Sequence, residues 1–286
     1  MNLCTPTAIL VGMSRWLRGS ARVLGGLLGG LAGVVAIQMM RLRRLEFLPA
    51  HPGFYVDRVV GRDGTEREPL RMVVFGDSTT AGVGVDRAED ALPTRLAEAV
   101  ALDRGRRVHV ISYGWTGARV ADVLRDQLPR ALRGVGEGGR RPPILPRADL
   151  VVIVIGANDA TRRTPLRRFR RDLRSLLAEV RDGASHAEVV LAGVPVFRGA
   201  LRQVEPLMVL TDQYGRLLRR AQREEARAAG VAFADLARDA TPRMRLRRDV
   251  LSTDNFHPSA AGYQIWAEVI AAALAGDEAG VEQAGA

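Results

Sequence analysis

Three side chains in this sequence of 286 residues have the types and positions needed for nucleophilic catalysis. Ser78 follows the apolar run 72–75, and a serine just past a buried strand is well placed to attack an electrophile. A serine hydroxyl is a weak nucleophile, so it needs an adjacent general base that a third group holds in place. Asp254 and His257, three residues apart near the C-terminus, are residue types that fill these two roles. We therefore expect the fold to bring the three side chains together.

The general base can be sought by elimination, because the chain has four histidines. His51 lies in a proline-containing polar segment, His109 within a predicted strand, and His186 in a short connection. Only His257 has a carboxylate three residues before it in a predicted loop. The alternative is that Asp254 caps the following helix beside an exposed histidine. The Gly-Asp-Ser sequence upstream favours the catalytic interpretation.

Two further positions offer hydrogen-bond donors. Gly117 closes the stretch 112–117, and a glycine lets a backbone N–H approach a ligand closely. Asn158 follows the apolar run 150–155 and carries an amide donor. Alternatively, Gly117 is a turn residue and Asn158 a helix N-cap. Acyl transfer needs such donors where negative charge develops on the substrate oxygen.

In this order, the four groups resemble the four motif blocks of the SGNH, or GDSL-type, serine hydrolases, over roughly residues 71–274. The blocks are Phe75-Gly-Asp-Ser78, Ser112-Tyr-Gly-Trp-Thr-Gly117, Gly156-Ala-Asn-Asp159 and Asp254-Asn-Phe-His257. The resemblance implies that Ser78 is the nucleophile, His257 the base and Asp254 the residue that orients it. It also implies an oxyanion hole formed by the N–H groups of Ser78 and Gly117 and by the Asn158 side chain.

The second block departs from the family pattern. Ser112 stands where the family has asparagine, and Gly114 is a second candidate glycine. The resemblance implies a serine esterase or lipase that works through an acyl-enzyme, on a small-molecule or lipid ester, with no metal and no organic cofactor. Carbohydrate O-deacetylase and thioesterase activities are alternatives within the family. We expect the segment 197–209 to shape the acyl pocket.

A binding module is the chief alternative of another class. The segment 77–84, after the first strand of a flavodoxin-like sheet, could hold the phosphate of FMN or a nucleotide with N–H and hydroxyl groups. It lacks the Gly-Lys-Ser/Thr ending of a P-loop. Phosphate binding would also leave Asp254 and His257 unexplained.

Alternating strand and helix patterns predict the fold. Strands are expected at 72–75, 108–111, 150–155, 189–194 and 231–234, which are rich in Val and Ile. The clearest helix begins at Thr164-Pro165 and carries one apolar stripe, with arginines on its other face. We therefore expect an α/β fold, a flavodoxin-like three-layer α/β/α sandwich with a five-stranded parallel sheet. Its site would lie at the carboxyl ends of the strands.

The N-terminal segment 23–40 contains no charged residue and is flanked by arginines, which predicts a transmembrane segment. A cleaved signal peptide or a buried glycine-rich helix are the alternatives. We expect a membrane-anchored protein with an extracytoplasmic catalytic domain acting on lipidic or cell-envelope esters. The expected organisation is a basic tail 1–22, the anchor 23–40, a linker 41–70, a hydrolase domain 71–275 and a C-terminal tail 276–286.

The net charge of +10 is concentrated at the N-terminus. The first 44 residues hold six arginines and no acidic residue, so the remainder has 36 basic against 32 acidic residues. This balance predicts no nucleic-acid binding. With Cys4 as the single cysteine, neither an intrachain disulfide nor a cysteine metal site can form. The sequence leaves the oligomeric state open.

Overall fold

The computed structural model describes residues 48–62, 67–136, 139–140, 142–196 and 205–284, and near the N-terminus only 26, 29–30, 33–38 and 40. The chain divides into two units, one of residues 1–45 with 203–207 and one of residues 46–202 with 208–286. In the first unit, the Gln38 side chain donates to the Glu205 carbonyl oxygen (2.8 Å) and accepts from the Leu207 N–H (3.2 Å).

Six strands form the main sheet of the second unit, and two short strands, β4 and β5, pair separately. The six are β1 (Asp57–Val60), β2 (Leu70–Gly76), β3 (Val108–Ser112), β6 (Leu150–Val154), β7 (Glu188–Ala192) and β8 (Ala232–Ala234), and the short pair is β4 (Val135–Gly136) with β5 (Gly139–Arg140). Along the sheet the order is β1-β3-β2-β6-β7-β8. Strand β1 runs antiparallel to β3, and the other neighbours are parallel.

The five predicted strands are present and mutually parallel, but the prediction of a purely parallel, five-stranded sheet is wrong. The sixth strand, β1, lies in the segment 41–70 that was predicted to be a linker. Its residues alternate between exposed and half-buried, so they carry little of the apolar signal that marks a core strand. Backbone pairing with β3, from Asp57 opposite Ile111 to Val60 opposite Val108, holds it at the edge of the sheet.

Helices follow the strands. They are α1 (Ser78–Ala81), α2 (Leu92–Arg104), α3 (Val120–Asp122), α4 (Leu128–Arg133), α5 (Ala157–Thr161), α6 (Leu166–Gly183), α7 (Leu207–Ala228), α8 (Thr241–Arg245) and α9 (Ala260–Ala284), with single 3₁₀ or π turns at Ala88–Asp90, Val123–Gln127, Leu145–Arg147 and Leu236–Ala240. The helix predicted after Thr164-Pro165 is α6. It buries Phe169, Leu173 and Leu177 on the predicted stripe, although Pro165 occupies the cap position and makes no side-chain capping bond.

Two apolar cores lie on the two faces of the sheet, because successive side chains of a strand point to opposite faces. Val73 and Phe75 of β2 enter a core with α6, and Met72 and Val74 enter a second core with α2 and α9. The central strand is thus buried on both sides. Its carboxyl end, where Ser78 follows, is fixed in position by packing from two directions.

The predicted transmembrane segment 23–40 is wrong. Among the residues that the structure describes, no helix combines the length and the apolar character needed to cross a membrane. The prediction rested on the absence of charge, whereas five of those 18 residues are glycine and one is glutamine, which add length without apolar side-chain surface. Positions 23–25, 27–28, 31–32 and 39 lie outside the described residues. Three further expectations depended on this segment and are not supported either: membrane anchoring, a membrane partner and an extracytoplasmic location.

Candidate active site

Ser78 lies at the carboxyl end of the central strand β2, as the first residue of α1. Asp77 caps this helix, because its Oδ1 accepts hydrogen bonds from the Thr79 N–H (3.0 Å) and Thr79 Oγ1 (2.9 Å). The first N–H groups of a helix have no intrahelical acceptor. Asp77 satisfies the Thr79 N–H, and the Ser78 N–H has no acceptor among the described residues.

The structure brings Ser78, His257 and Asp254 into one hydrogen-bonded chain. The distance from His257 Nε2 to Ser78 Oγ is 3.0 Å, and that from His257 Nδ1 to Asp254 Oδ2 is 2.6 Å. Ser78 and His257 are 179 positions apart in sequence. An ionised carboxylate can only accept, so Nδ1 carries the proton and Nε2 is free to accept the proton of the Ser78 hydroxyl.

The second oxygen of Asp254 fixes the loop that carries His257. Oδ1 accepts from Ser252 Oγ (2.8 Å), the Phe256 N–H (2.9 Å) and the His257 N–H (3.0 Å). Burial by itself raises the pKa of this carboxyl. The hydrogen bonds from His257, Phe256 and Ser252 outweigh burial and lower the pKa below its ordinary value. Asp254 is therefore ionised at neutral pH.

The loop itself is a short hairpin. Leu251 and Pro258 form an antiparallel bridge, and the Ser252 N–H donates to the His257 carbonyl oxygen (2.9 Å). Asn255 at the tip has φ +52, in the left-handed region that asparagine tolerates better than most residues. The Phe256 ring meets the His257 ring edge-on, with ring centroids 4.9 Å apart. Backbone pairing and packing together hold the imidazole.

The two predicted donor positions belong to loops that are bonded to each other. Asn158, in α5, donates from Nδ2 to the Ala118 carbonyl oxygen (3.1 Å). The next residue, Asp159, accepts the Val120 N–H at 3.1 Å. Gly117 has φ +82, which glycine adopts without strain, and its N–H donates to no protein acceptor in the described part of the chain. One Asn158 amide hydrogen and the Gly117 N–H thus remain unused among the described residues, but of these two residues only Asn158 lines the cavity at Ser78.

A cavity of about 440 Å³ opens at Ser78, Asn158 and His257. Most of its other lining residues come from the chain between β8 and the start of α9, and sequence reasoning did not assign these to a site. They include Met244, Arg245, Arg247, Arg248, Val250, Leu251 and, from α9, Trp266. None lies in a motif. The only signal was their position shortly before the Asp254 to His257 block.

The cavity lining does not include Tyr113 or Trp115 of the second block, nor the histidines His51 and His109. Tyr113 and Trp115 pack against the apolar core of the sheet. Of the segment 197–209, expected to shape the pocket, positions 197–204 lie outside the described residues. His51 Nδ1 accepts the Gly53 N–H, and His109 Nε2 lies 2.8 Å from Asp57 Oδ1 at the sheet edge.

Comparison with known proteins agrees with this architecture. A sequence profile of the GDSL-like lipase/acylhydrolase family matches residues 74–265, most of the chain. The chain therefore belongs to this family, and it is a hydrolase. The resemblance predicted from the four sequence blocks is confirmed. The competing prediction of a phosphate-binding module at 77–84 is not supported. The Thr79 N–H already donates to Asp77 and is therefore not available to a phosphate.

Three individual proteins are similar to this chain in sequence or in fold. The GDSL-like esterase Rv1075c of Mycobacterium tuberculosis is 28% identical over 207 residues, which is 72% of this chain and 62% of that protein. The chain thus spans less than two thirds of that relative. The lipase Lip_vut3 from a goat rumen metagenome has a TM-score of 0.56 at 20% identity, over 71% of this chain and 97% of its own. Phospholipase A1 from Streptomyces albidoflavus NA297 has a TM-score of 0.52 at 21% identity, over 71% and 98%. At this identity the solved structures show the fold alone.

Proposed function

We propose that this protein hydrolyses carboxylic esters through an acyl-enzyme formed on Ser78. The observation that carries the proposal is the continuous chain from Ser78 Oγ through His257 to Asp254, with both contacts at hydrogen-bond length, at the wall of a cavity. A serine, a base and an orienting carboxylate in this order are the parts that nucleophilic acyl transfer requires.

In the first step, Ser78 Oγ attacks the ester carbonyl carbon while His257 Nε2 takes the hydroxyl proton. The tetrahedral intermediate collapses when His257 returns this proton to the leaving alcohol, which leaves the acyl group on Ser78. Water then attacks the acyl-enzyme by the same route, with His257 again as the base. Asp254 stays ionised and stabilises the imidazolium that forms in each half-reaction.

The oxyanion is stabilised by three donors in this proposal. The Ser78 N–H is an unsatisfied donor of a helix start, the Gly117 N–H has no protein acceptor among the described residues, and Asn158 has a second amide hydrogen. The hydrogen bond from Asn158 to the Ala118 carbonyl oxygen supports an amide that is held in place before the substrate binds. Such a donor needs little reorganisation when negative charge develops on the substrate oxygen.

The cavity lining favours substrates with an apolar part next to the ester. Met244, Val250, Leu251, Phe256 and Trp266 offer apolar surface beside Ser78. Thioesters and acetylated carbohydrates remain alternatives. Cell-envelope esters are no longer proposed, because that expectation depended on the membrane anchor. A chain-length series of aryl esters, with an acyl thioester and an acetylated sugar beside it, separates these classes. We further propose that the hydrolase domain contains residues 71–275, within which the family match lies, together with the preceding strand β1 and the start of β2.

Labelling by a fluorophosphonate probe tests the mechanism. The probe should modify Ser78, and Ser78→Ala should abolish both labelling and nearly all ester hydrolysis, because no nucleophile remains. Ser175→Ala, which changes a half-buried serine on α6, is the matched control and should leave both unchanged. Labelling of a different serine, or near wild-type turnover by Ser78→Ala, would contradict the mechanism.

A further inference from the structure

Three arginines line the cavity that contains Ser78. Arg245 ends α8, and Arg247 and Arg248 lie in the turn that follows it. All three are exposed to solvent as well as lining the cavity, so their charges lie at its solvent-exposed side. None belongs to the four motif blocks, and the mechanism proposed above does not use them.

Two of these three positive charges have no carboxylate partner in the described part of the chain. Arg247 pairs with Asp249, at 2.9 Å from Nε to Oδ1. Arg245 and Arg248 make no hydrogen bond or ion pair to any residue in the described part of the chain. Among the described residues, the one carboxylate on the cavity wall is Asp77, which is 3% exposed and already accepts two hydrogen bonds from Thr79.

A neighbouring arginine on the same short helix shows the contrast. Arg243 is paired with Glu268 of α9 and does not line the cavity. Arg245 is two positions further along the chain, faces the cavity and has no such carboxylate. The uncompensated charges are thus placed where a bound substrate would meet them. A cleft lined by one sign of charge attracts ligands of the opposite sign.

Given the ester hydrolysis proposed above, we propose that this enzyme selects esters that also carry an anionic group, a carboxylate or a phosphate-type group, and that Arg245 and Arg248 bind it. A guanidinium presents several donors in a planar fork that matches the oxygens of both groups. The apolar residues Met244 and Trp266, next to these arginines on the cavity wall, contact the carbon chain between the ester and the anion. The preferred substrate is therefore an amphipathic, negatively charged ester.

Matched ester pairs test this selection and also locate the charge. The acyl pair is para-nitrophenyl pentanoate and the mono-para-nitrophenyl ester of glutaric acid. The alcohol pair is the butyrate ester of propanol and that of hydroxypropylphosphonate. We expect the anionic member of at least one pair to have a kcat/KM about 10- to 100-fold higher, the factor for a hydrogen bond to a charged group. This advantage should shrink as NaCl concentration rises, because salt screens exposed charges.

Substitution assigns the effect to residues. In the double variant Arg245→Gln/Arg248→Gln, the ratio of kcat/KM for the anionic over the neutral ester should fall to about one. Arg243→Gln is the matched control on the same helix and should keep the wild-type ratio. Equal or faster hydrolysis of the neutral ester in both pairs, or a ratio unchanged in the double variant, overturns the anion site and leaves ester hydrolysis intact. Hydrolysis of none of the four esters overturns both proposals.

Discussion

Each oxygen of the Asp254 carboxylate has a separate task. Oδ2 accepts from the His257 imidazole, and Oδ1 accepts three donors of the loop on which His257 lies. Every one of these partners is a donor, so the position requires an acceptor on both sides. An amide offers an acceptor on one side only. The side chain thus couples the fold of the loop to the orientation of the imidazole.

Replacement of Asp254 by asparagine tests this double role. An amide NH₂ facing Nδ1 would favour the wrong imidazole tautomer, so Asp254→Asn should lower kcat by a factor on the order of 10⁴. Steady-state ester hydrolysis measures the effect, and circular dichroism checks the fold. Asp239→Asn, which changes a carboxylate paired with Arg238, is the control and should keep wild-type kcat. A loss of less than tenfold in Asp254→Asn would exclude the proposed role.

Asn158→Ala tests the oxyanion donors. Loss of one donor should lower kcat by on the order of 100- to 1000-fold with little change in KM, because the donor acts on charge that develops after binding. Initial rates over a range of ester concentrations separate the two parameters. Gln264→Ala, which removes an amide donor to Glu268 on α9, is the control. A rise in KM with kcat unchanged would place Asn158 in ground-state binding instead.

From the sequence one can predict which three side chains the fold brings together, but not which residues line the pocket. Ser78, Asp254 and His257 stand in short blocks whose residue types have few other uses in combination. Arg245 and Arg248 follow no motif, and arginine makes up all 42 basic residues, so their type carries no signal. Only the path of the chain between β8 and α9 places them on the cavity wall.

At the scale of elements, two contacts join the nucleophile to the base. The Tyr263 hydroxyl, at the start of α9, donates to the Val83 carbonyl oxygen just after α1. Gly84 lies against the other segment, since a Cβ built there would be 2.3 Å from the Pro258 carbonyl oxygen and 3.1 Å from His257 Cβ. The contacts between the turn after α1 and the loop before α9 therefore fix the relative positions, or register, of Ser78 and His257.

Gly84→Ala should disturb this register. Gly84 has φ +110, and the added methyl group must push Pro258 away, so we expect lower thermal stability and a lower kcat together. Gly105→Ala, at the end of α2, is the control. It has φ +56 with open space around the Cβ position, so it should cost about 1–2 kcal/mol of stability and leave kcat unchanged. A Gly84→Ala enzyme with wild-type kcat would show that this contact does not position His257.

The elements differ in how much of them the sequence could predict. Strands β2, β3, β6, β7 and β8 carry Val- and Ile-rich runs because both of their faces are covered, and each was predicted within a few residues. Strand β1 covers only the edge, with Asp57 and Val59 exposed, and its pairing partner is decided by backbone bonds to β3. Edge strands of this kind leave little trace in composition.

At the scale of the whole molecule, buried carboxylates act in opposite directions on stability. Burial raises the pKa of Asp77, despite the opposing hydrogen bonds from Thr79 and the nearby His257. For Asp254, burial is outweighed by hydrogen bonds and the pKa is lowered. Asp254 therefore contributes stability that is lost as pH falls through its lowered folded pKa. Asp77 contributes stability that is lost as pH rises from about its ordinary value of 3.8 through its raised folded pKa.

Asp77→Asn separates the two effects. Its amide oxygen can still accept the Thr79 N–H, but the side chain no longer ionises. As pH rises from about 4 to 8, the Tm of the wild type should therefore fall relative to that of Asp77→Asn. Thermal unfolding of both proteins in the same buffers measures this difference, which cancels contributions from all other groups. Ser175→Ala, which removes no ionisable group, is the control and should show no such drift. A Tm difference that is constant with pH, or that changes in the opposite direction, would contradict this expectation. It would mean that Asp77 is ionised in the folded protein without a cost in stability. Charges other than the Thr79 contact would then have to compensate for its burial.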